Sequence, residues 1–333
     1  MKAAWFERRG PARDVLKIGA MEDPEPGPGE VRVAIAVSGV NPSDVKGRGI
    51  RRGNAQMPFA RIIPHQDGAG IIDKVGTGVA PSRVGERVWL YMSQYGRPFG
   101  TAAEYTVVPA ERAVRLPAAA DFSVGASLGV PAMTAHYALF SDGPVSGKSV
   151  LVHGAAGAVG FYAVQLARWG GARHVVATVS GEEQAGQAML AGADAVIDYK
   201  RENVAERILS AAATRAGVER IIEVSFGANI AVDAAVIARG GTIAAYGSDA
   251  VPEPVLPFHA FSQKDARLRM LLIYQAPQSA RETAAREINA LLEVKALKHR
   301  VAARFRLDEI AAAHEAVEAG GGRGKVLVDV ASS

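Results

Sequence analysis

Residues 149–170 read Ser-Val-Leu-Val-His-Gly-Ala-Ala-Gly-Ala-Val-Gly-Phe-Tyr-Ala-Val-Gln-Leu-Ala-Arg-Trp-Gly, and no other stretch restricts the fold as strongly. Residues 150–152 form a short apolar run of buried-strand character. Gly154, Gly157 and Gly160 follow at three-residue spacing. Val159, Ala163, Leu166 and Ala167 then share one helical face. A glycine repeat gains meaning in this setting, between a strand and a helix. Glycines let the chain turn sharply and let a pyrophosphate approach the backbone. The first N–H groups of the helix, and its dipole, favour that anion. A β-branched side chain at 157 is expected to fill that space and to resist a positive φ.

The pattern around this unit is regular. Strands are expected at 150–152, 174–179, 195–197, 220–224 and 242–246, and helices at 158–169, 182–191, 203–213 and 229–238. Such alternation predicts a doubly wound α/β architecture, a parallel sheet with helices on both faces. Residues 1–120 instead look β-rich, with strands at 31–37, 68–75 and 87–91 between glycine- and proline-rich turns. Residues 122–140 read as one helix containing Pro131. After the alternating region come an apolar run at 267–274, helical stretches at 279–293 and 308–318, and a last strand at 325–330.

Composition narrows the function. The chain has 333 residues, 49% of them hydrophobic and none of them cysteine. Disulfides, thiolate nucleophiles and cysteine-ligated zinc are excluded. The net charge of +4 is the small difference between 38 basic and 34 acidic residues, and the basic ones are scattered. That distribution describes a solvated surface rather than a nucleic-acid footprint. No apolar run approaches the roughly 18–20 residues that span a bilayer, and the first nine residues lack an apolar signal. A cytoplasmic protein acting on small molecules is expected.

Several segments, in this order, carry a family resemblance: 39–44 (Gly-Val-Asn-Pro-Ser-Asp), 68–70 (Gly-Ala-Gly), 84–88, 100–105, 128–135, the glycine turn with its Val-Gln-Leu-Ala-Arg helix, and 324–326 (Gly-Lys-Val). Together they make the chain similar to the medium-chain dehydrogenase/reductase superfamily. Within it the chain most resembles the zinc-independent, zeta-crystallin-like quinone oxidoreductases. The resemblance implies a Rossmann domain at 125–259 inserted in a GroES-like catalytic domain made of 1–124 and 260–333.

What the resemblance implies for the site follows residue by residue. Asn41 stands where zinc-dependent relatives carry a cysteine ligand. Gln66 takes a histidine ligand's place, Asp67 takes a glutamate's, and His65 falls one position early. No metal is expected, so an unactivated alcohol is a poor substrate and an electron-poor acceptor a good one. Asn41, Lys46, Gln66, Asp67 and Thr134 are the catalytic candidates, with Lys46 where relatives often have tyrosine. Cofactor contacts are expected from Asn41, Thr134, Gly154, Ala156, Gly157, Ala158, Val159, Gly160, Ser180, Tyr199, Lys200, Gly247, Ser248, Leu271, Leu272, Ile273 and Lys325. Tyr91, Tyr95 and Phe99 are candidates for a substrate wall, with core packing as the alternative. Ser180, in place of the acid that binds the ribose of NAD, points to NADP, with Lys200 or Arg201 to meet the 2′-phosphate.

The expected activity is NADPH-dependent reduction of a quinone or enone. An enoyl-thioester reductase, and a non-enzymatic NADPH-binding crystallin or RNA binder, are the alternatives. The 267–274 run, at a sheet edge, predicts a homodimer.

Overall fold

The computed structural model describes residues 1–49, 56–211, 216–320 and 324–330. It divides into two compact units, Met1–Val130 with Ala285–Ser333, and Pro131–Ala284.

In the first unit β1 (Lys2–Trp5) pairs with β2 (Lys17–Ala20) on either side of the short helix α1 (Ala12–Val15). Then come β3 (Glu30–Val40), α2 (Pro42–Arg48), β4 (Asp67–Val75), β5 (Arg87–Leu90), β6 (Tyr105–Pro109), β7 (Ala113–Arg115) and α3 (Phe122–Gly125). The long strand β3 is the hub of this sheet. It pairs antiparallel with β4 along most of its length and with β6 over its first residues.

The second unit takes in most of α4 (Gly129–Phe140). It continues with β8 (Ser149–Val152), α5 (Ala158–Trp169), β9 (His174–Val179), α6 (Glu182–Ala191), β10 (Ala195–Asp198) and α7 (Val204–Ala211). Then follow β11 (Val218–Glu223), α8 (Phe226–Val236), β12 (Ile237–Ala245), α9 (Phe258–Ser262) and β13 (Arg267–Met270). The six strands are all parallel, in the order β10-β9-β8-β11-β12-β13. The order reverses between β8 and β11, and ligands bind at such a switch point in open α/β sheets. Leu151, Val176, Ile197, Ile221 and Ile243 supply its core. Each contributes about 1.5–3 kcal/mol by leaving water.

After α10 (Gln278–Glu293) the chain returns to the first unit with β14 (Val301–Arg306), α11 (Ile310–Glu318) and β15 (Lys325–Asp329). β15 pairs with the last residues of β3 on the side whose first residues pair with β6, so both chain ends share one core, in which Val31 and Val33 pack with Leu307, Ile310 and Val328. Among the described residues no helix is long and apolar enough to cross a membrane.

Three expectations need correction. Residues 260–284 stay with the parallel sheet, because β13 extends it beside β12 with Thr242 opposite Arg267. The other boundary falls at Val130/Pro131, within the first turn of α4. Residues 122–140 are two helices rather than one. Pro131 sits in the first turn of α4, where a missing N–H costs nothing. The end of the 203–213 helix lies outside the described residues.

Candidate active site

Three strands of the first unit bring its polar cluster together. β15 lies antiparallel to β3 with Val326 opposite Val40, and β3 antiparallel to β4 with Gly39 opposite Asp67. Lys325, Asn41 and Asp67 therefore meet at one end of the sheet. The Lys325 ammonium donates to Asn41 Oδ1 at 2.5 Å and to Asp67 Oδ2 at 2.6 Å. Asn41 Nδ2 donates to the same Asp67 oxygen at 2.8 Å, which fixes the orientation of the amide. Asp67 Oδ1 accepts the Val130 N–H, at the start of α4, at 2.9 Å, a favourable place for a carboxylate. Lys325 is 3% exposed and Asp67 0%. A Cβ on Gly39 would stand 2.6 Å from Lys325 Cε and 2.1 Å from the Ala126 carbonyl oxygen. The lysine stem runs over a residue that has to lack a side chain.

Asn41 also opens α2, where its N–H donates to Asp44 Oδ2 at 2.7 Å. Among the described residues Asp44 Oδ1, which is buried, has no partner. Burial, and after it the charge of Asp67, pushes the Asp44 carboxyl up to about 7.

A one-way chain of hydrogen bonds ends on Asp67. Arg48 Nε can only donate, and it meets His314 Nδ1 at 3.2 Å. The His314 proton is therefore on Nε2, which donates to His65 Nε2 at 2.9 Å. His65 must then donate from Nδ1 to Ser38 Oγ at 2.7 Å. The Ser38 hydroxyl donates to Thr101 Oγ1 at 2.6 Å, and Thr101 to the Asp67 carbonyl at 2.6 Å. Both imidazoles are neutral. Burial, reinforced by the neighbouring His314, holds His65 well below its usual range. Burial and Arg48 bring His314 to about 3. His65 has φ 82°, a left-handed conformation uncommon outside glycine. Such strain persists where the surroundings over-determine it.

The donor set does not suit a zinc ion. A catalytic zinc takes three good protein ligands and an open position. Here Asn41 and Asp67 hold an ammonium between them. Gln66 turns its Nε2 to Gln94 Oε1 at 3.0 Å, and among the described residues its buried Oε1 has no partner. His65 spends both nitrogens on Ser38 and His314.

The second unit supplies a cradle for a dinucleotide. Gly154 has φ 63°, and a Cβ on Gly160 would stand 2.3 Å from the Gly154 carbonyl oxygen. Gly154 therefore makes the turn and Gly160 lets α5 start against it. Gly157 is different from expectation. As the N-cap of α5 it has φ −72°, so its backbone needs no left-handed freedom, although a Cβ would stand 3.2 Å from the Gly154 oxygen. The N–H groups of Ala158, Val159 and Gly160 form the first turn of α5, with no helical carbonyl behind them. Ala156 is buried in the turn before them. This pattern of close-packed glycines and free N–H groups fits a pyrophosphate.

Other expected cofactor residues gather at the carboxyl edge of the sheet. The Tyr199 N–H donates to the Val179 carbonyl at 3.0 Å, which sets Tyr199 and Lys200 beside Ser180 at the end of β9. Ser180 Oγ donates to Gln184 Oε1 at 3.0 Å, and Tyr199 and Lys200 are exposed. Gly247, Ser248, Leu271 and Leu272 line a cavity of about 520 Å³ with Phe226 and Met270. The Ser248 hydroxyl, however, is engaged within its own loop, accepting from Gly227 N–H and donating to the Val251 carbonyl. Ile273 and Thr134 are buried.

The remaining candidates separate. Lys46 is half-buried on α2, and the cation on Asn41 and Asp67 is Lys325 instead. Lys325, expected at the cofactor, holds its ammonium in this cluster. Tyr91 is a core residue, tilted on Trp89 with its hydroxyl donating to the Glu111 carbonyl. Phe99 lines a cavity of about 350 Å³ that neither Tyr91 nor Tyr95 reaches.

Sequence reasoning missed His314, Asp44 and His153. His153, just before the glycine turn, contacts Asp233 Oδ1 at 3.1 Å and Glu223 Oε2 at 3.5 Å. Burial opposes its protonation, but the Asp233 hydrogen bond and the two carboxylate charges outweigh it and raise its pKa. These three side chains have the makings of a metal site, but here they contact one another. Nothing local in the sequence marks such partners, which lie 70 and 80 residues away.

A family model described as an alcohol dehydrogenase GroES-like domain matches residues 27–118, and one described as a zinc-binding dehydrogenase matches 158–290. Human quinone oxidoreductase is 30% identical over 327 residues, covering 97% of this chain and 95% of that protein. The solved Escherichia coli quinone oxidoreductase complexed with NADPH superposes with a TM-score of 0.85 at 25% identity, covering 99% of this chain and 100% of that one. A solved NAD-dependent alcohol dehydrogenase superposes with a TM-score of 0.89 at 24% identity over 99% of this chain and 100% of that one, a likeness of fold alone. The chain therefore belongs to the quinone oxidoreductases of the medium-chain dehydrogenase/reductase superfamily, enzymes built on a nicotinamide-binding Rossmann domain and a GroES-like domain.

Proposed function

We propose that the chain reduces quinones and other conjugated carbonyl acceptors with NADPH and without a metal. The observation that carries this reading is the ammonium lodged between Asn41 and Asp67. A cation already fills the place where a metal-dependent relative would need its ligands free. An alcohol, which has to lose a proton before it can be oxidised, then has no Lewis acid to help it. An acceptor that is already electron-poor needs only a hydride donor, orientation and a partner for its developing charge.

Bound at the glycine turn, NADPH supplies the hydride. Gly154, Gly160 and the first turn of α5 hold its pyrophosphate. Ser180, with no acid at the end of β9, leaves room for a 2′-phosphate, and Lys200 and Arg201, next to Tyr199, are there to meet it. Support for a homodimer comes from β13. It is the outer strand of its sheet, and Met270 and Leu272 beside it are 61% and 47% exposed. An edge strand with exposed apolar side chains is satisfied by its twin across a two-fold axis.

The test is turnover of a quinone, an enone, a crotonyl thioester and a primary alcohol after exhaustive chelation, with metal content measured on the same sample. Full quinone or enone reduction with no stoichiometric metal is expected. Chelator-sensitive turnover with one zinc per chain overturns the reading.

A further inference from the structure

Beside the glycine turn four buried polar residues come together. They are His153 just after β8, Thr178 in β9, Glu223 at the end of β11 and Asp233 on α8, at 3%, 1%, 0% and 0% exposure. A buried polar group is costly unless it is paired, and these are paired with one another and with the turn. The parallel register that sets Val152 opposite Ala177 carries His153 alongside Thr178. Thr178 meets the turn twice. Its carbonyl accepts the Ala155 N–H at 3.1 Å, and its hydroxyl oxygen accepts the Gly154 N–H at 3.3 Å. His153 Nδ1 lies 3.0 Å from the same hydroxyl. A hydroxyl donates as well as accepts, so this bond forms in either protonation state of that nitrogen. On its other side His153 Nε2 faces Asp233 Oδ1 and Glu223 Oε2, and a ring nitrogen facing carboxylates carries its proton. Glu223 is fixed in turn by the Ser225 N–H and by Asn229 Nδ2.

We propose that His153 is the positioning residue of the dinucleotide turn: anchored on Asp233 and Glu223, it holds the Thr178 hydroxyl against the Gly154 N–H and so keeps the turn shaped for a pyrophosphate. The assignment rests on the nicotinamide-binding reading above. Gly154 is where the turn needs holding. It takes a positive φ of 63°, and a glycine gives up more conformational freedom on folding than any other residue. Within the turn its carbonyl accepts the Gly157 N–H at 2.9 Å. Its own N–H reaches outside the turn, to Thr178. Holding this geometry before the cofactor arrives lowers the ordering cost of binding.

The test compares variants at both ends of the tie. His153→Asn sets an amide near the place of Nδ1, facing Thr178, and His153→Gln sets one near the place of Nε2, facing the carboxylates. Thr178→Val removes the hydroxyl and Thr178→Ser keeps it. NADPH affinity by fluorescence titration should fall about tenfold in T178V and H153Q, and stay within about threefold of wild type in T178S and H153N. Affinity for adenosine 2′-phosphate, which has no pyrophosphate, should be the same in all of them. Exchange of the Gly154 amide hydrogen without cofactor should quicken by about tenfold in T178V and H153Q but not in T178S or H153N. Melting temperatures at position 153 should run the other way. H153N leaves Asp233 and Glu223 without a donor and melts lower than H153Q, which keeps one.

The proposal is overturned by a T178V that binds NADPH as wild type does, by affinities that fall in the order of the melting temperatures, or by adenosine 2′-phosphate weakening together with NADPH. Should H153N not fold, T178V against T178S decides by itself. A wild type that binds no NADPH ends the nicotinamide reading; Gly154 exchange still decides whether His153 and Thr178 hold the turn.

Discussion

The neutral histidine pair makes acid sensitivity calculable. His314 is brought to about 3 by burial and Arg48, against about 6.5 in an unfolded chain. Its folded value lies below its unfolded one. The stability it contributes is therefore fully present above about pH 6.5 and is lost as pH falls from there toward 3. At pH 5 the unfolded ring is almost fully protonated and the folded ring almost not at all. Integrated from pH 7 to 5, the linkage amounts to about 2 kcal/mol for His314 alone. His65, lowered in the same sense, adds a loss of the same sign. Asp44, raised to about 7 by burial and Asp67, works the other way, because its folded carboxyl takes up a proton before the unfolded one does. Over the same interval it returns about 2 kcal/mol.

Wild-type stability by itself therefore hides the effect, and a matched variant exposes it. His314→Gln keeps an acceptor for Arg48 and a donor for His65 but does not titrate in this range. Urea denaturation at pH 7 and pH 5 should show wild type losing about 2 kcal/mol more than this variant, since Asp44 and His65 are common to both. Histidine NMR should find His314 protonated on Nε2 and His65 on Nδ1, with His314 neutral down to pH 5. Parallel stability curves, a His314 ring that titrates above pH 5, or the opposite tautomers would refute the one-way chain from Arg48 to Asp67.

Other consequences are simpler to measure. Lys325→Met alone should destabilise the fold by about 3–5 kcal/mol in urea denaturation, because it strands the Asp67 carboxylate in the interior, and D67N/K325M should recover most of that loss. Gly157→Val should abolish NADPH binding in a fluorescence titration while the melting temperature stays near that of wild type; the cause is crowding at the turn, since φ at 157 is negative. NADPH should bind more tightly than NADH in the same titration, and equal affinities would remove the argument from Ser180. Sedimentation of wild type at micromolar concentration should give a dimer, and Leu272→Pro should shift it toward monomer or aggregate by disrupting the edge.

The second unit was the more legible half of the chain. Its elements are local, and the 158–169, 174–179 and 182–191 expectations coincide with α5, β9 and α6. The reason is that periodicity, glycine turns and short βα connections are all written within a few residues of one another. The misplaced boundary at 259/260 has a physical cause too. β13 is a four-residue edge strand, intermediate or exposed throughout, and most of the apolar residues of the 267–274 run lie past its end, so the strand itself does not resemble the buried inner ones. Similarly, 122–140 reads as one helix with Pro131 inside it, whereas the chain breaks between α3 and α4 and Pro131 falls in the first turn of α4.

The polar cluster was half legible. Asn41 and Asp67 stand in metal-ligand registers of a chain without cysteine, which implies that a buried acid there must find its cation among the basic residues. The sequence offers two next to glycines in suitable places, Lys46 and Lys325. Choosing between them requires the register of β15 on β3, which depends on a pairing across 284 residues and is set by the shared core of the two chain ends rather than by any local signal. One clue was nonetheless present. Gly39 interrupts the apolar run of β3 two residues before Asn41, and a glycine inside a strand marks the close approach of another group. What approaches is the stem of Lys325. The same absence of a side chain that weakens β3 locally is what lets the two ends of the chain place a fixed ammonium against Asn41 and Asp67.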